Sequence, residues 1–373
     1  MSQLRRPLAV LAASAAVLAL GVPSVATASP GPSRHDDHHG KPFGVQQVNM
    51  VSDLPGRAAL TDPDVKNPWG LALLPTSPLW SANNATDVAT LYSAAPGATT
   101  ATKVTAVRVT FPDTPELPTG QVANNGTGFV NTFGGVSGPA RFIFATLTGH
   151  IEAWAPGVDP GTGPAQTRAT VPGAVFTGLT MATTSAGDRL FAANFGQNRI
   201  NVFDSSFNPV GTSSFAFRDL RLPRGYAPFN VQALNGNIFV AYAKVNPTTG
   251  RSVDGKGLGF VDEYTVDGRL IARVASRQTL DGPWGMAIAP ASWGNIAGSL
   301  LVGNFGNGRI TVISLGRHDE ITGLLRDARG KDIAIERLWA LLPGTATTGG
   351  TDAVWFSSGL NNEQDGLLGQ LRP

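Results

Sequence analysis

The chain has 373 residues, with 45 Gly, 27 Pro, no Cys and 14% charged residues. So much Gly and Pro with so little charge argues against a helical bundle and for many short strands joined by turns; the lack of cysteine excludes disulfides and thiol chemistry. The net charge of +2 comes from residues 1–28, which hold Arg5 and Arg6 and no acid: without them Lys+Arg falls from 28 to 26 against Asp+Glu 26, so no nucleic-acid partner is expected.

Residues 1–28 read as an export signal: Arg5 and Arg6, an apolar run over 8–22, and Ala26-Thr27-Ala28 as a small-residue cleavage site before Ser29. A membrane anchor fits less well, because the run is short for a span and is broken by Gly21 and Pro23. The Arg5-Arg6 pair permits twin-arginine export, with Sec the default route. A secreted, extracellular product without a membrane anchor is expected, and a monomer. Residues 29–43 are polar and aperiodic, a disordered linker. Its His35, His38, His39, Asp36 and Asp37 suit a solvated tail, or adventitious Zn or Cu binding.

From residue 44 to 373 a repeat takes over. An inner-strand motif recurs as Pro68-Trp69-Gly70-Leu71, Pro118-Thr119-Gly120-Gln121, Phe176-Thr177-Gly178-Leu179, Pro228-Phe229-Asn230-Val231, Pro283-Trp284-Gly285-Met286 and Leu338-Trp339-Ala340-Leu341. Its second column falls at 69, 119, 177, 229, 284 and 339. A second strand follows each copy (79–83, 142–146, 190–194, 238–242, 300–304, 354–358), then a third (88–93, 151–155, 199–204, 259–265, 309–314, 366–371). Residues 192–204 and 302–314 are the closest pair. Segments 103–109, 168–171 and 270–274 alternate as half-exposed outer strands do.

Four short strands per unit of about 55 residues, six times over, predict an all-β, six-bladed β-propeller with four-stranded antiparallel blades. The sixth unit stops after its third strand, while 45–51 reads as an unassigned strand before the first. Pairing the two would close the last blade with the N-terminal strand and remove an open edge. A sandwich or two β-domains would not explain the constant period.

The segments Asn67-Pro68-Trp69-Gly70-Leu71-Ala72, 225–232, Pro283-Trp284-Gly285-Met286-Ala287, 302–308 and Asp365-Gly366-Leu367-Leu368-Gly369 resemble a family of uncharacterised secreted bacterial propellers, some with PEP-CTERM sorting tails. The resemblance runs over 44–371. This chain ends at Gln370-Leu371-Arg372-Pro373 without such a tail. More distantly the chain is similar to NHL-repeat, TolB-like and regucalcin/gluconolactonase-like propellers, an analogy of fold.

In such a ring the expected site is the mouth of the axial channel. The last residues of the second strands form a column of Asn83, Thr146, Asn194, Tyr242, Asn304 and Ser358; the loops before the inner strands add Asp62, Asp64, Asn67, Asn230 and Asp281. Oxygen donors of this kind suit Ca2+ or Mg2+, and Asp62, Asn194 and Asn304 are the candidate ligands. The resemblance to regucalcin-like enzymes implies a metal that polarises a lactone or ester carbonyl. Against this, Asn before Phe-Gly is favoured in tight turns for its own backbone bonding, and Asp62-Pro63-Asp64 reads as a turn. The long loop 244–258 offers Lys244, Arg251, Asp254 and Lys256 to close over a ligand, and 361–365 has carboxylates for one more cation.

Nucleophilic catalysis finds no support: His150 and His318 have no Ser or Asp partner at meaningful spacing, and no GxSxG, HExxH, P-loop or Rossmann pattern occurs. Aromatics read as core first and as a carbohydrate platform second. The expectation is a non-catalytic propeller binding an extracellular protein, glycan or small ligand at its mouth, with no catalytic residue assigned. A divalent-metal-dependent hydrolase or lactonase is the alternative, weakened by the lack of a glutamate before blade one.

Overall fold

The computed structural model describes residues 43–113, 115–213 and 216–373; the expected export signal, and the linker apart from Phe43, lie outside the described residues. Six antiparallel sheets carry the six repeats. Their inner strands are Pro68–Ala72, Pro118–Ala123, Phe176–Thr184, Tyr226–Leu234, Pro283–Ile288 and Leu338–Pro343. Each inner strand touches the next, and the sixth touches the first, so the sheets form a ring. The protein is a six-bladed β-propeller.

Closure follows the expected plan. Gln46–Ser52 runs antiparallel to Asp365–Arg372 as the fourth strand of blade six, with Leu60–Thr61 parallel outside it. Ser52 Oγ donates to Gly366 O at 2.6 Å, and Gly366 N donates to Asp53 Oδ1 at 2.8 Å. Two tail-to-head hydrogen bonds therefore fix where the latch ends.

The repeated column has a geometric cause. In every blade the pairing of the inner strand with the second strand shifts register at that position, for instance between Pro68 and Leu71, Pro228 and Asn230, and Pro283 and Met286. A bulge re-aims one side chain and bends the strand. Here it turns Trp69, Phe229, Trp284 and Trp339 toward one end of the ring axis, where they are buried in a common cluster.

The residue after the bulge meets the next blade's backbone. A Cβ on Gly120 would lie 2.7 Å from Gly178 Cα and collide with Leu179 N; on Gly70 it would lie 2.7 Å from Gln121 N and collide with Thr119 O. Gly178 and Gly285 face Asn230 and Trp339 O in the same way. Only a residue without Cβ permits this approach. Blade four keeps a side chain there: Asn230 Nδ2 donates to Trp284 O at 2.7 Å, crossing to blade five. A cavity of about 20 Å³ remains on the axis between the inner strands, room for about one water.

Two segments depart from expectation. Residues 103–109 form two short strands, Thr102–Lys103 and Val109–Thr110, because the chain turns between them so that Arg108 N donates to Gly161 O and the Arg108 guanidinium reaches Asp64. Blade two gains an unforeseen hairpin, Val130–Phe133 with Val136–Pro139, whose Phe133 is 57% exposed. No helix among the described residues is long and apolar enough to cross a membrane.

Replacing Gly120 or Gly285 with Ala is expected to destabilise the ring by about 1–3 kcal/mol through overpacking. Gly211→Ala, where an added Cβ meets nothing within 4 Å, serves as the neutral control. Denaturant unfolding of the three variants checks this, and equal midpoints would remove the close approach as a constraint.

Candidate functional site

The six-residue polar column is built, but it faces inward. Asn83, Thr146, Asn194, Asn304 and Ser358 are 0% exposed and Tyr242 2%. Its asparagines act as clamps between strands. Asn83 Nδ2 donates to Thr90 Oγ1 at 2.8 Å, Asn194 Nδ2 to Asn201 Oδ1 at 2.9 Å, and Asn304 Nδ2 to Thr311 Oγ1 at 3.1 Å. The carbonyl oxygens are engaged too: Asn194 Oδ1 accepts from Val175 N and Gln197 N, and Asn304 Oδ1 accepts from Asp281 N. Tyr242 bonds Tyr264 hydroxyl to hydroxyl at 2.7 Å, and burial holds its phenol well above the usual range. Ser358 Oγ donates to Glu336 O at 2.5 Å.

Three of the expected metal ligands are thus otherwise employed. Asp62 lies beside blade one, where Tyr92 Oη donates to Oδ2 at 2.6 Å and Lys103 Nζ to Oδ1 at 2.8 Å. Lys103 also bonds Asp64, whose carboxyl the Arg108 guanidinium holds below its ordinary range. Asn194 and Asn304 each serve their own blade. The axial Ca2+ or Mg2+ site is not assembled from this set, because a sequence shows that an oxygen recurs but not that its lone pairs are already taken. Asp281 accepts from Gly255 N at 2.7 Å, and burial raises its pKa. Asn230 is the cross-blade link described above.

The mouth itself is real and differently lined. A cavity of about 810 Å³ opens at one end of the axis. Its walls include Trp69, Phe229 and Trp339 from the bulges, with Phe195 and Phe305 from the turns after the second strands. Trp69 and Trp339 stack with centroids 3.5 Å apart, and Phe305 lies 4.1 Å from Trp339. Of the expected column residues in the loops, Asn67 belongs here: its Oδ1 accepts from Trp339 Nε1 at 2.9 Å. Trp284 Nε1 donates to Thr177 O at 2.9 Å. Trp69 Nε1 is buried with no acceptor among the described residues.

The rim is charged and paired across blades. The loop 244–258 carries Arg251 and Asp254 to the mouth, as expected, whereas Lys244 lies over the Tyr226 ring instead. Arg251 pairs with Glu363 at 2.5 Å, and Arg337 pairs with Asp254 while its guanidinium sits 4.7 Å from the Phe305 centroid. The expected cation loop 361–365 therefore holds an ion pair, and Asp365 accepts from Asn361 at 2.7 Å. Asn361, Asn362 and Glu363 take φ of 50°, 56° and 73° in succession, a strained run for residues with a Cβ.

His150, which the sequence left without an acid, has one. Its Nδ1 lies 2.8 Å from Glu116 Oε1, a residue 34 positions earlier, in the connection from blade one to blade two. Such a pairing across a blade boundary has no local spacing to announce it. Glu152 stands behind it, and burial pushes its carboxyl up to about 7.

No family model matches the chain. It is 31% identical over 328 residues to the uncharacterized protein R648 of Acanthamoeba polyphaga mimivirus, covering 86% of this chain and 78% of that protein. To the uncharacterized protein L690 of the same virus it is 31% identical over 343 residues, 88% of each. These relatives are viral, not the bacterial proteins that the resemblance implied. Among solved structures, the PQQ-bound aldose sugar dehydrogenase of Streptomyces coelicolor superposes with a TM-score of 0.52 over 89% of this chain and 98% of that one, at 16% identity. That likeness concerns the fold alone.

Asn304→Ala removes three hydrogen bonds from a buried site and is expected to lower stability by about 1–3 kcal/mol, with a thermal midpoint that Ca2+ leaves unchanged in both wild type and variant. A midpoint raised by Ca2+ in wild type alone would restore the axial metal.

Proposed function

The chain belongs to the family of the mimivirus proteins R648 and L690, and for this member we propose a non-catalytic role: binding a small polar ligand with an apolar face, such as a short glycan, at the axial mouth. One observation carries the reading. The aromatic floor of a cavity of about 810 Å³ includes Trp69, whose indole donor Nε1 no described residue satisfies. Ligand pockets commonly have this size and this mix of apolar wall with few polar groups, and a buried donor without a partner is costly. A small turn of the Trp69 ring would bring this buried donor to a hydroxyl or carbonyl oxygen of a bound ligand, while the ring faces of the floor take the ligand's apolar side. The strained 361–363 backbone at the rim supports the same reading, since such strain gathers where ligands are held.

The hydrolase alternative has less support at this end of the axis. The carboxylates lining the mouth, Asp254 and Glu363, are both paired with arginines, which leaves neither free to hold a cation or to act as a base.

Titration of the full chain with a panel of mono-, di- and trisaccharides, read by tryptophan fluorescence and saturation-transfer NMR, tests the proposal. The expected hit quenches indole emission and weakens at least tenfold in Trp69→Phe and in Arg337→Ala. Hits indifferent to both substitutions, or no hit at all, would overturn a glycan site at the mouth.

We also propose that the protein is exported through residues 1–28 and acts outside the cell as a monomer. Mass spectrometry of material recovered from the medium should place the N-terminus at Ser29; an intact Met1 in a purely cell-associated product would refute it.

A further inference from the structure

The strongest unexplained chemistry lies in blade two, away from the aromatic floor. Equivalent places in the ring make it visible. Two residues before each column residue of the second strands (Asn83, Thr146, Asn194, Tyr242, Asn304 and Ser358), the third-strand partners are Thr90, Glu152, Asn201, Asp262, Thr311 and Gly369. Thr90, Asn201 and Thr311 are neutral and accept from the asparagine clamps. Asp262 is charged but lies 3.3 Å from Arg273 and accepts from Tyr264 at 3.3 Å. Glu152 has neither solution. It is 0% exposed, its carboxylate oxygens make no hydrogen bond of ordinary geometry among the described residues, and the hydroxyl of its strand partner Thr167 offsets its burial only in part.

What faces Glu152 is more acid. His150 Nδ1 is 3.9 Å from Glu152 Oε1 and 2.8 Å from Glu116 Oε1. Glu116 is also 0% exposed, and its Oε2 accepts from Thr148 Oγ1. Asp113 completes a group with Glu116 and His150 in which one ligand atom from each lies within 4.8 Å of the others. Asp87 holds this segment in place by accepting from Glu116 N and Leu117 N at 2.8 to 3.1 Å. Three carboxylates, Asp113, Glu116 and Glu152, thus surround a single imidazole, and His150 is the only ion-pair partner of Glu116 and Glu152 among the described residues. Uncompensated buried charge of this kind is strongly unfavourable.

We propose that Asp113, Glu116 and His150, with Glu152 behind them, bind a divalent transition-metal ion, Zn2+ by preference. The donor set selects the class: an imidazole nitrogen among carboxylates suits Zn2+, while Ca2+ and Mg2+ take oxygen alone. Tetrahedral Zn2+ with bonds of about 2.0–2.2 Å holds its ligand atoms about 3.4 Å apart, so the His150–Glu116 pair at 2.8 Å opens slightly and Asp113, within 4.8 Å of both, closes in, shifts within side-chain reach. Asp113 is exposed, so the ion enters from solvent. His150 binds through Nδ1, which requires the neutral ring and releases any proton it held. The site joins the blade-one connection to the third strand of blade two, so the ion acts as a cross-blade staple.

Calorimetric titration of the full chain with Zn2+, with elemental analysis after desalting, tests this. Because the histidines of the polar segment can bind the same ion, the reference is the full chain carrying His35→Ala, His38→Ala and His39→Ala. That reference is expected to bind one Zn2+ per chain and to gain thermal stability with it. Asp113→Asn, an exposed change that leaves the fold alone, and His150→Gln should each weaken binding at least tenfold. Glu152→Gln should weaken it as well, while raising the stability of the metal-free chain. No binding once the three tail histidines are removed, or binding unchanged in Asp113→Asn and His150→Gln, would overturn the site.

Discussion

The ring depends on how closely neighbouring inner strands approach each other. At Gly70, Gly120, Gly178 and Gly285 the space of a side chain is filled by the next blade's inner strand. The bulge one step earlier makes this possible, because it frees the strand from its own partner where it must lean on its neighbour. The same bulge aims an aromatic ring at the mouth. One local irregularity, repeated, therefore closes the axis and builds the floor of the candidate site. Close packing there makes the floor rigid, which lowers the cost of ordering a bound ligand.

Closure of the circle is a separate constraint. Five blades are made from consecutive strands, and the sixth borrows Gln46–Ser52 from the other end of the chain. The hydrophobic contribution of that strand is substantial, since Met50 and Val51 are fully buried. It also covers an edge that would otherwise offer unpaired backbone groups. The residues that end the latch, Ser52 and Asp53, anchor to Gly366, beside the 361–365 loop. The seam of the ring and the strained rim of the mouth are therefore neighbours along the chain.

The fold was legible because its repeat is a repeat of backbone needs. A glycine that must admit a neighbouring strand recurs in four blades, and an aromatic that fills the axis in four, with Thr119 and Thr177 in the other two, at a spacing regular enough that 69, 119, 177, 229, 284 and 339 align by eye. The opening at the end of the axis was legible, but not which side chains line it. Asn83, Asn194 and Asn304 recur just as regularly, yet they recur as clamps, each donating to a third-strand residue seven positions on. Periodicity reports structural demand, and the charged rim of the mouth is where the pattern breaks. Arg337 and Glu363 come from the sixth repeat without equivalents, and their roles depend on partners in the blade-four loop 83 and 112 residues away. Residues 103–109 misled for a related reason: alternation was present, but the half-exposed side chains serve a turn tied to Asp64.

The same reasoning explains why blade two stands apart. Position for position, its second strand ends in Thr146 where three other blades have Asn, and Thr146 Oγ1 pairs with Thr148 at 2.7 Å instead of crossing to the third strand. Losing the clamp leaves the third-strand site to a side chain that must find another partner. Blade four meets a similar loss with tyrosines, Tyr242 and Tyr264, and with Arg273 beside Asp262. There two buried carboxylates, Asp219 and Asp262, share one guanidinium, and burial pushes Asp262 up to about 7. In blade two no guanidinium among the described residues pairs with Glu116 or Glu152, and His150 is their one ion-pair partner. At the equivalent third-strand positions the protein itself matches Thr90, Asn201, Asp262 and Thr311, and the carboxylate that it leaves without such a match in blade two points to a partner of opposite charge from outside the chain.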